Sequence, residues 1–526
     1  MLLRTAKKTE DDRELGLPIP TQFISNGEFW PFPQTERQRQ IERLIIQMAD
    51  ERARKLGWSR RKFLGSAAGM ATALMAINIV SGCGDSSSNH TPASTLTPTP
   101  TATPTLTPTS TPGFNVDDCA TRDPEAARER FQADFFIMDV QTHHADLDGP
   151  IGMNPGLQEF FRTFRICQPR VTNPDCTRGD IEELSRANYL KEIFLDSETA
   201  VAIMSGIPAP VAALQLIGNA AMAATRDLGN ELSASQRMLT QGMVTPNFPA
   251  GNDARTNVAD MEWMKNELGV RAIKTYTGAG RGPNFPPDAL DVWGATSPAW
   301  WLDDEDVSYP MLAEAERLGI NIVNTHKGLR LGIFDPEYIH PRDVPKVARD
   351  WPNMNFVIYH SAGEYLDDLV ALKTTEIPNA TNVYAELGAI FAGAVTNGVE
   401  AVGHLLGKLL NGFGPDHIIW GTDSIWYGTP QWQINALKTF QMPEQMMEQF
   451  GYPQITDEIR AKIFGRNAAR LYGVDIDEVR CTLPSDLLMQ ARAAYPDVAE
   501  PSLHQYGFKT RREFFNFAFT GKNPLA

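Results

Sequence analysis

Short apolar runs alternate with longer stretches of helical periodicity between about residues 116 and 475. Several of the runs are apolar almost throughout, as expected of parallel strands covered on both faces. The predicted strands are Asp134–Gln141, Thr199–Met204, Gly242–Asn247, Val270–Tyr276, Ile320–Thr325, Asn355–Tyr359, Asn382–Leu387 and His417–Thr422. The predicted helices between them include Pro210–Leu228, Ala254–Leu268, Pro310–Leu318 and Val399–Leu410. This alternation predicts an α/β fold, a (β/α)₈ TIM barrel, with catalytic residues at the carboxyl ends of its strands.

Polar side chains suited to catalysis or metal binding stand at the ends of several predicted strands. They are Gln141 and His143 at strand one, Lys274 in strand four, His326 after strand five, His360 after strand six and Asp423 after strand eight. Carboxyl ends of the strands meet at one face of a barrel, so we expect these side chains to form one site.

The segment Ile137–His144 contains the most polar residues of any of these strand ends. Side chains alternate faces along a strand, so Asp139, Gln141 and His143 are predicted to share one face. The same alternation turns His144 to the opposite face. Strand one therefore supplies an amide and an imidazole to the predicted site.

The first 83 residues read as an extension followed by an export signal. Residues 1–58 contain one predicted amphipathic helix, Arg37–Lys55. Arg60-Arg61 then precedes a mildly apolar run within the segment 59–83, an order typical of a twin-arginine signal. The run is short and broken by glycines, so a membrane-spanning helix is the weaker reading.

Cys83 closes that run in a sequence similar to a bacterial lipobox, and a linker covering 84–115 follows. Of the 22 residues from 91 to 112, 16 are Thr or Pro, a composition that forms an extended spacer rather than a core. We therefore expect a lipoprotein of the periplasm or cell envelope, exported by the twin-arginine route. Membrane contact is expected only through a lipid on Cys83.

Composition and charge narrow the function classes. A net charge of −16 argues against nucleic acid as a partner, and 42% hydrophobic residues describe an ordinary globular chain. The five cysteines are too few for a disulfide scaffold. In an oxidising compartment Cys167–Cys176 is the preferred bridge and Cys119–Cys481 a second pairing, with free thiols as the alternative.

The strand-end residues resemble those of the amidohydrolase-related family of metal-dependent barrel hydrolases and decarboxylases. The matching text is Asp139 to His143, His326, His360-Ser361-Ala362-Gly363 and Gly421-Thr422-Asp423. The segment Ile463–Gly473 is similar to the helix that closes the barrel in that family. The resemblance spans about 130–475, and it departs from the family at Gln141, where a histidine is usual.

The resemblance implies one divalent metal ion, most often zinc, held by His143, His326, Asp423 and Gln141. Asp423 would take a proton from a metal-bound water, and His360 would stabilise developing charge on the substrate. Because an amide oxygen is a weaker ligand than imidazole, Gln141 lowers the expected zinc affinity, and a metal-free site is an open alternative.

The implied reaction is hydrolysis of an amide, lactone or similar bond in a small organic substrate. The alternatives are nonoxidative decarboxylation of an unsaturated or aromatic acid and, from another class, a noncatalytic exported binding protein. Candidate substrate contacts are Lys274, Arg281, Arg330 and Trp426. The tail, 476–526, holds four phenylalanines between 514 and 519 and is predicted to pack on the barrel or on a second subunit.

Overall fold

The structure of the chain is a computed structural model that describes residues 17–21, 34–82, 113–153, 184–278, 299–329, 334–426 and 428–493. Several residues singled out by sequence lie outside these ranges. They are Cys83, Cys167, Cys176, Arg281, Arg330 and the phenylalanines of the tail.

Eight parallel strands pair in sequence order and form a nearly closed barrel, which confirms the predicted fold class. The strands are β1 Met138–Thr142, β2 Val201–Met204, β3 Met238–Met243, β4 Ala272–Tyr276, β5 Ile322–His326, β6 Asn355–Tyr359, β7 Val383–Glu386 and β8 Ile418–Ile419. Backbone hydrogen bonds join the first and last strands, from Val140 N to Trp420 O (3.1 Å) and from Asp423 N to Gln141 O (2.9 Å).

Helices cover the outside of the barrel and form an additional layer before and after it. They are α1 Glu36–Leu56, α2 Arg60–Leu64, α3 Ala67–Val80, α4 Pro124–Phe131, α5 Arg186–Leu190, α6 Asn219–Ser233, α7 Met261–Asn266, α8 Ser308–Arg317, α9 Val344–Asp350, α10 Leu366–Thr375, α11 Gly388–Asn397, α12 Val399–Phe413, α13 Gln431–Thr439, α14 Glu444–Phe450, α15 Asp457–Ala461, α16 Asn467–Tyr472, α17 Ile476–Thr482 and α18 Leu487–Ala493.

An apolar plug fills the lower part of the barrel interior. It takes a buried side chain from every strand: Met138, Val201, Leu239, Ala272, Ile322, Val357, Tyr384 and Ile419. Because side chains alternate along a strand, the residues two positions later also face the interior. On three strands these are Gln241, Lys274 and Glu386, so a polar layer lies above the plug, toward the carboxyl ends.

The segment predicted to be an export signal packs on the catalytic domain in this structure. Helix α3 is buried along most of its length and shares the core that surrounds the barrel. The Asn78 amide, 1% exposed, donates to Phe114 O (2.8 Å) and accepts from Phe114 N (2.9 Å). Among the described residues no helix combines the length and apolarity needed to cross a membrane.

The predicted bridge between Cys119 and Cys481 is not formed, which corrects that pairing. Both cysteines are free thiols at exposed positions, Cys119 in the turn before α4 and Cys481 in α17. The two sulfur atoms do not approach to bonding distance, so the geometry of a disulfide is not met.

Candidate active site

Strand β1 delivers Gln141 and His143 to the barrel mouth, but not by regular alternation. Its pairing with β2 shifts register between Asp139 and Thr142, and Val140 packs in the apolar plug. The carboxylate of Asp139 accepts hydrogen bonds from the backbone N–H groups of Gln141 and Thr422 (both 3.1 Å). The prediction that Asp139 shares a face with Gln141 and His143 is therefore wrong, because the register shift breaks the two-residue period.

His144 lies on the outer face of the strand, as predicted. Its Nε2 contacts Thr225 Oγ1 in α6 at 2.8 Å, and its ring packs beside Tyr189. Burial lowers the pKa of His144 to about 3, so the ring is neutral over the ordinary pH range. This histidine holds a helix to the barrel and takes no part in the site.

His143 and Asp423 form a buried pair at the carboxyl ends of β1 and β8. His143 Nε2 lies 2.9 Å from Asp423 Oδ1, with exposures of 1% and 0%. At this separation the two atoms attract each other when Nε2 carries the proton, although no hydrogen bond of regular geometry joins them. The other ring nitrogen, Nδ1, is buried and has no hydrogen-bond partner among the described residues. The neighbouring carboxylate thus favours the tautomer with its proton on Nε2, in which Nδ1 is the basic nitrogen.

His360 is fixed at both its backbone and its ring. Its backbone N–H donates to Glu386 Oε2 at 2.9 Å, and its Nδ1 accepts from the N–H of Ala389 in α11 at 3.2 Å. Because Nδ1 accepts, the neutral ring carries its proton on Nε2. That nitrogen lies 3.5 Å from the Gln141 side-chain nitrogen, which is itself a donor, so with this tautomer the contact is an approach of two N–H groups and not a hydrogen bond.

The turn that carries His360 has an unusual backbone. His360, Ser361 and Ala362 have φ values of 58°, 44° and 62°, a left-handed region that residues other than glycine rarely enter. The Ser361 hydroxyl donates to Glu386 O at 2.7 Å and thereby holds the turn from a second side. Such strain persists only where surrounding contacts determine the conformation, and it is concentrated at functional sites.

Glu386, at the end of β7, is the site residue that sequence reasoning missed. It is fully buried, and its Oε1 has no hydrogen-bond partner in the described part of the chain. Burial raises the pKa of Glu386 well above its usual range, the Asp423 charge raises it further, and the Lys274 ammonium lowers it. Gly421 makes room for this carboxyl group, because a Cβ there would lie 1.8 Å from Oε1. A glutamate ending an apolar strand was the available signal.

His326 comes to the same mouth but is engaged by the backbone. Its Nε2 lies 2.8 Å from Gly328 O and 3.2 Å from Leu329 O, so this nitrogen is a donor to carbonyl groups. The His326 and His360 rings pack edge to face at a centroid distance of 4.8 Å. Only Nδ1 of His326 could serve as a metal ligand.

Two of the four predicted substrate contacts lie in the described residues. Lys274 is fully buried, and its Nζ lies 3.7 Å from the centroid of the Tyr359 ring and 5.3 Å from that of Tyr276. Trp426 is also buried, with its ring 6.4 Å from that of His143. The structure therefore brings Lys274 and Trp426 to the site, although neither stands at its solvent-exposed edge.

A family model described as "Amidohydrolase" matches residues 139–474, which is more than half of the chain. The chain belongs to the amidohydrolase family. The match begins at the β1 aspartate and ends after α16, so it covers every strand of this amidohydrolase's barrel. No curated protein matches the chain.

Solved structures similar to this amidohydrolase are distant in sequence. An uncharacterized TIM-barrel protein from Bordetella bronchiseptica is 17% identical, covers 64% of this chain and 98% of its own, and gives a TM-score of 0.42. A 2,6-dihydroxybenzoate decarboxylase from Rhizobium is 14% identical over 65% of this chain and 100% of its own (TM-score 0.38). An amidohydrolase from Burkholderia multivorans with bound zinc is 13% identical over the same shares (TM-score 0.36).

Members of the amidohydrolase superfamily typically bind a metal ion, which gives a test for the predicted ligands. In the described ranges no three or more His, Cys, Asp or Glu side chains are arranged to hold an ion. His143 and Asp423 face each other, His326 Nε2 faces carbonyl oxygens, and Gln141 offers an uncharged amide. The four predicted ligands therefore do not fit a metal ion in this arrangement.

Proposed function

We propose that this amidohydrolase hydrolyses an amide, lactone or similar bond in a small organic substrate, using water activated by His143 and Asp423. The observation that carries the proposal is the state of the His143 ring. Its Nε2 lies 2.9 Å from a buried carboxylate oxygen, and its buried Nδ1 has no hydrogen-bond partner among the residues that the structure describes. A base oriented by a carboxylate is the arrangement that general-base hydrolysis needs.

The reaction balances with the groups of the chain alone. A water molecule attacks the carbonyl carbon while His143 Nδ1 takes one of its protons, and the carbonyl π electrons move onto oxygen. The Nε2–H of His360 is the donor proposed to stabilise that oxygen. The intermediate then expels the amine or alkoxide, which takes the proton back from His143 Nδ1. Asp423 keeps its charge throughout and stabilises the imidazolium ion.

This assignment changes the role that the family resemblance gave to Asp423. The sequence predicts Asp423 as the direct proton acceptor, whereas the contact at 2.9 Å supports His143 as the acceptor and Asp423 as its orienting partner. One divalent ion, with zinc as the first expectation, stays a prediction. The steps above use none.

Nonoxidative decarboxylation remains the second prediction from the sequence, and no contact in the site favours it. A substrate carboxylate would enter a region that holds the carboxyl groups of Glu386 and Asp423 beside the single ammonium of Lys274 among the described residues. Repulsion between like charges in a buried site makes this the less favourable substrate class.

The proposal is tested with wild-type protein and the variants His143→Ala and Asp423→Asn on a panel of lactones, small amides and aromatic carboxylic acids. Removal of a general base should lower kcat on a lactone or amide by about 10²–10⁴-fold. His404→Ala is the matched control, because His404 contacts Tyr452 on the far side of α12. Turnover of the acids alone, or variants within threefold of wild type, would refute hydrolysis by this pair.

We also propose export as a lipoprotein, on the order of Arg60-Arg61, the apolar run, Cys83 and the linker. The fold places one requirement on this proposal, because the export signal is packed against the rest of the chain. Arg60 makes two contacts of 2.9 Å with Asp50 of α1, and α3 is buried. The export machinery could recognise the twin-arginine segment only after Arg60 and α3 have separated from the rest of the chain. Mass spectrometry of the mature N-terminus from a native envelope fraction tests it: a lipidated Cys83 supports export, and an intact N-terminus contradicts it.

A further inference from the structure

His143, Asp423 and His326, three of the predicted metal ligands of the barrel mouth, lie close to other groups of the protein. A coordinate bond needs the lone pair of the ligand atom to point at the ion. His326 Nε2 points at two carbonyl oxygens, at 2.8 and 3.2 Å, and His143 Nε2 lies 2.9 Å from Asp423 Oδ1. A metal ion would have to break these contacts before it could be held.

Gln141 cannot compensate for the missing histidine. Its side chain carries no charge and has an oxygen as its only donor atom, which binds zinc more weakly than an imidazole nitrogen does. That oxygen is directed at α11, because a Cβ on Gly388 would lie 2.9 Å from Gln141 Oε1 and 2.4 Å from His360 Nδ1. The amide therefore packs against the helix that holds His360.

A cation of the protein itself is present close to these groups. Lys274 is fully buried in the polar layer of the barrel, and its Nζ lies over the face of the Tyr359 ring at 3.7 Å. The ring face attracts an ammonium ion and helps to hold it in this position. Tyr359 is itself fixed, since its hydroxyl donates to Val140 O at 2.8 Å.

Charge balance gives this ammonium a function. The interior around it contains the carboxyl groups of Glu386 and Asp423, and Lys274 acts electrostatically on Glu386. A divalent ion in the same interior would be repelled by the ammonium. The buried lysine thus supplies positive charge where a metal-dependent relative would use an ion.

We propose that this site works without a bound metal ion and that the ammonium group of Lys274 is its resident cation. Lys274 acts as a positioning residue: its charge stabilises the anionic state formed during attack by water. A test of this proposal by enzyme activity rests on the proposed hydrolysis, whereas a test by measuring the metal content of the protein does not.

The first experiment measures metal in the full chain, purified without chelator from cells grown with added zinc. Elemental analysis should find less than about 0.1 equivalent of zinc, manganese or iron per chain, and calorimetry with zinc chloride should show no tight site. About one equivalent of metal that is lost in Asp423→Asn would overturn the proposal, whether or not any substrate is turned over. Inactivity on the whole panel with no metal would overturn only the proposed function.

The second experiment compares Lys274→Met with Lys274→Arg on a substrate of the wild-type protein. Removing a preorganised positive charge in Lys274→Met should lower kcat by about 10²–10³-fold with KM changed less than threefold. The kcat of Lys274→Arg should be at least about tenfold higher than that of Lys274→Met, because arginine keeps the charge. A chelator should leave wild-type activity unchanged. Loss of activity with a chelator and its return with zinc would contradict metal independence, even if Lys274→Met failed to fold.

Discussion

Replacing Asn78 by alanine should destabilise the folded chain, although Asn78 lies in the helix that the sequence assigns to an export signal. The amide is 1% exposed and makes two hydrogen bonds with the backbone of Phe114, at 2.8 and 2.9 Å. Phe114 belongs to a short strand pair with Phe440, which follows α13 of the barrel layer. The substitution therefore tests whether α3 is docked in the working protein.

The magnitude follows from what each backbone group loses. The Phe114 N–H has no second partner of this kind, so its burial without a bond costs about 1–3 kcal/mol. The Phe114 carbonyl still accepts from Val116 N at 2.8 Å, so its loss is that of one ordinary hydrogen bond, about 1 kcal/mol. Together the expected decrease in the free energy of unfolding is about 2–4 kcal/mol.

The assay is urea unfolding followed by tryptophan fluorescence, where a lower midpoint with an unchanged slope reports stability alone. Asn411→Ala is the control, because Asn411 is an exposed asparagine with one long contact to Gly451 O (3.5 Å), and it should change stability by less than about 0.5 kcal/mol. A change for Asn78→Ala no larger than that of the control would refute the docking of α3.

Three further predictions concern the site and its support. The pKa of His144 is about 3 in the folded chain and near 6.5 in the unfolded chain, so its contribution to stability is complete above pH 6.5 and is lost as the pH falls. At pH 4.5 the free energy of unfolding should be lower by about 2–3 kcal/mol. Urea titrations of His144→Gln should lack this decline. Glu386→Ala removes the acceptor of the His360 N–H and should lower kcat at least tenfold with little change in KM, while Glu386→Gln keeps an acceptor oxygen and should recover most of it; equal activity of all three proteins in steady-state assays would contradict this role. Gly421→Ala places a Cβ 1.8 Å from the Glu386 carboxyl group and should cost about 1–3 kcal/mol by overpacking, whereas Gly451→Ala, with nothing within 4 Å, should show in urea unfolding only the cost of its positive φ.

The fold could be predicted because parallel barrel strands leave a strong apolar signal. The sixth strand was predicted at Asn355–Tyr359 and lies there in the structure. The third was predicted at Gly242–Asn247 but spans Met238–Met243, because the sequences on both sides of Gly242 are equally compatible with a strand. An apolar run marks that a strand exists more reliably than it marks the ends.

The site was predictable only as far as strand ends determine it. His143, His326, His360 and Asp423 meet at one face because parallel strands carry their carboxyl ends there. The orientation of Asp139 depends on a register shift, and the place of Glu386 depends on space left by Gly421 on another segment. Such contacts between distant segments have no local periodicity. The ligand arrangement implied by the family resemblance could not be tested before the rings were placed.

The left-handed turn at His360, Ser361 and Ala362 is a part of the barrel that adaptation to high temperature is expected to leave unchanged. Glycine at Ala362 would relieve the backbone strain in the folded chain but would also increase the freedom of the unfolded chain, and the two effects oppose each other. The turn is packed closely as well, because a Cβ on Gly328 would lie 2.0 Å from Ala362 O. Lineages adapting to higher temperature would therefore gain little by changing this loop and are expected to stabilise the barrel elsewhere, which leaves the orientation of the imidazole unchanged.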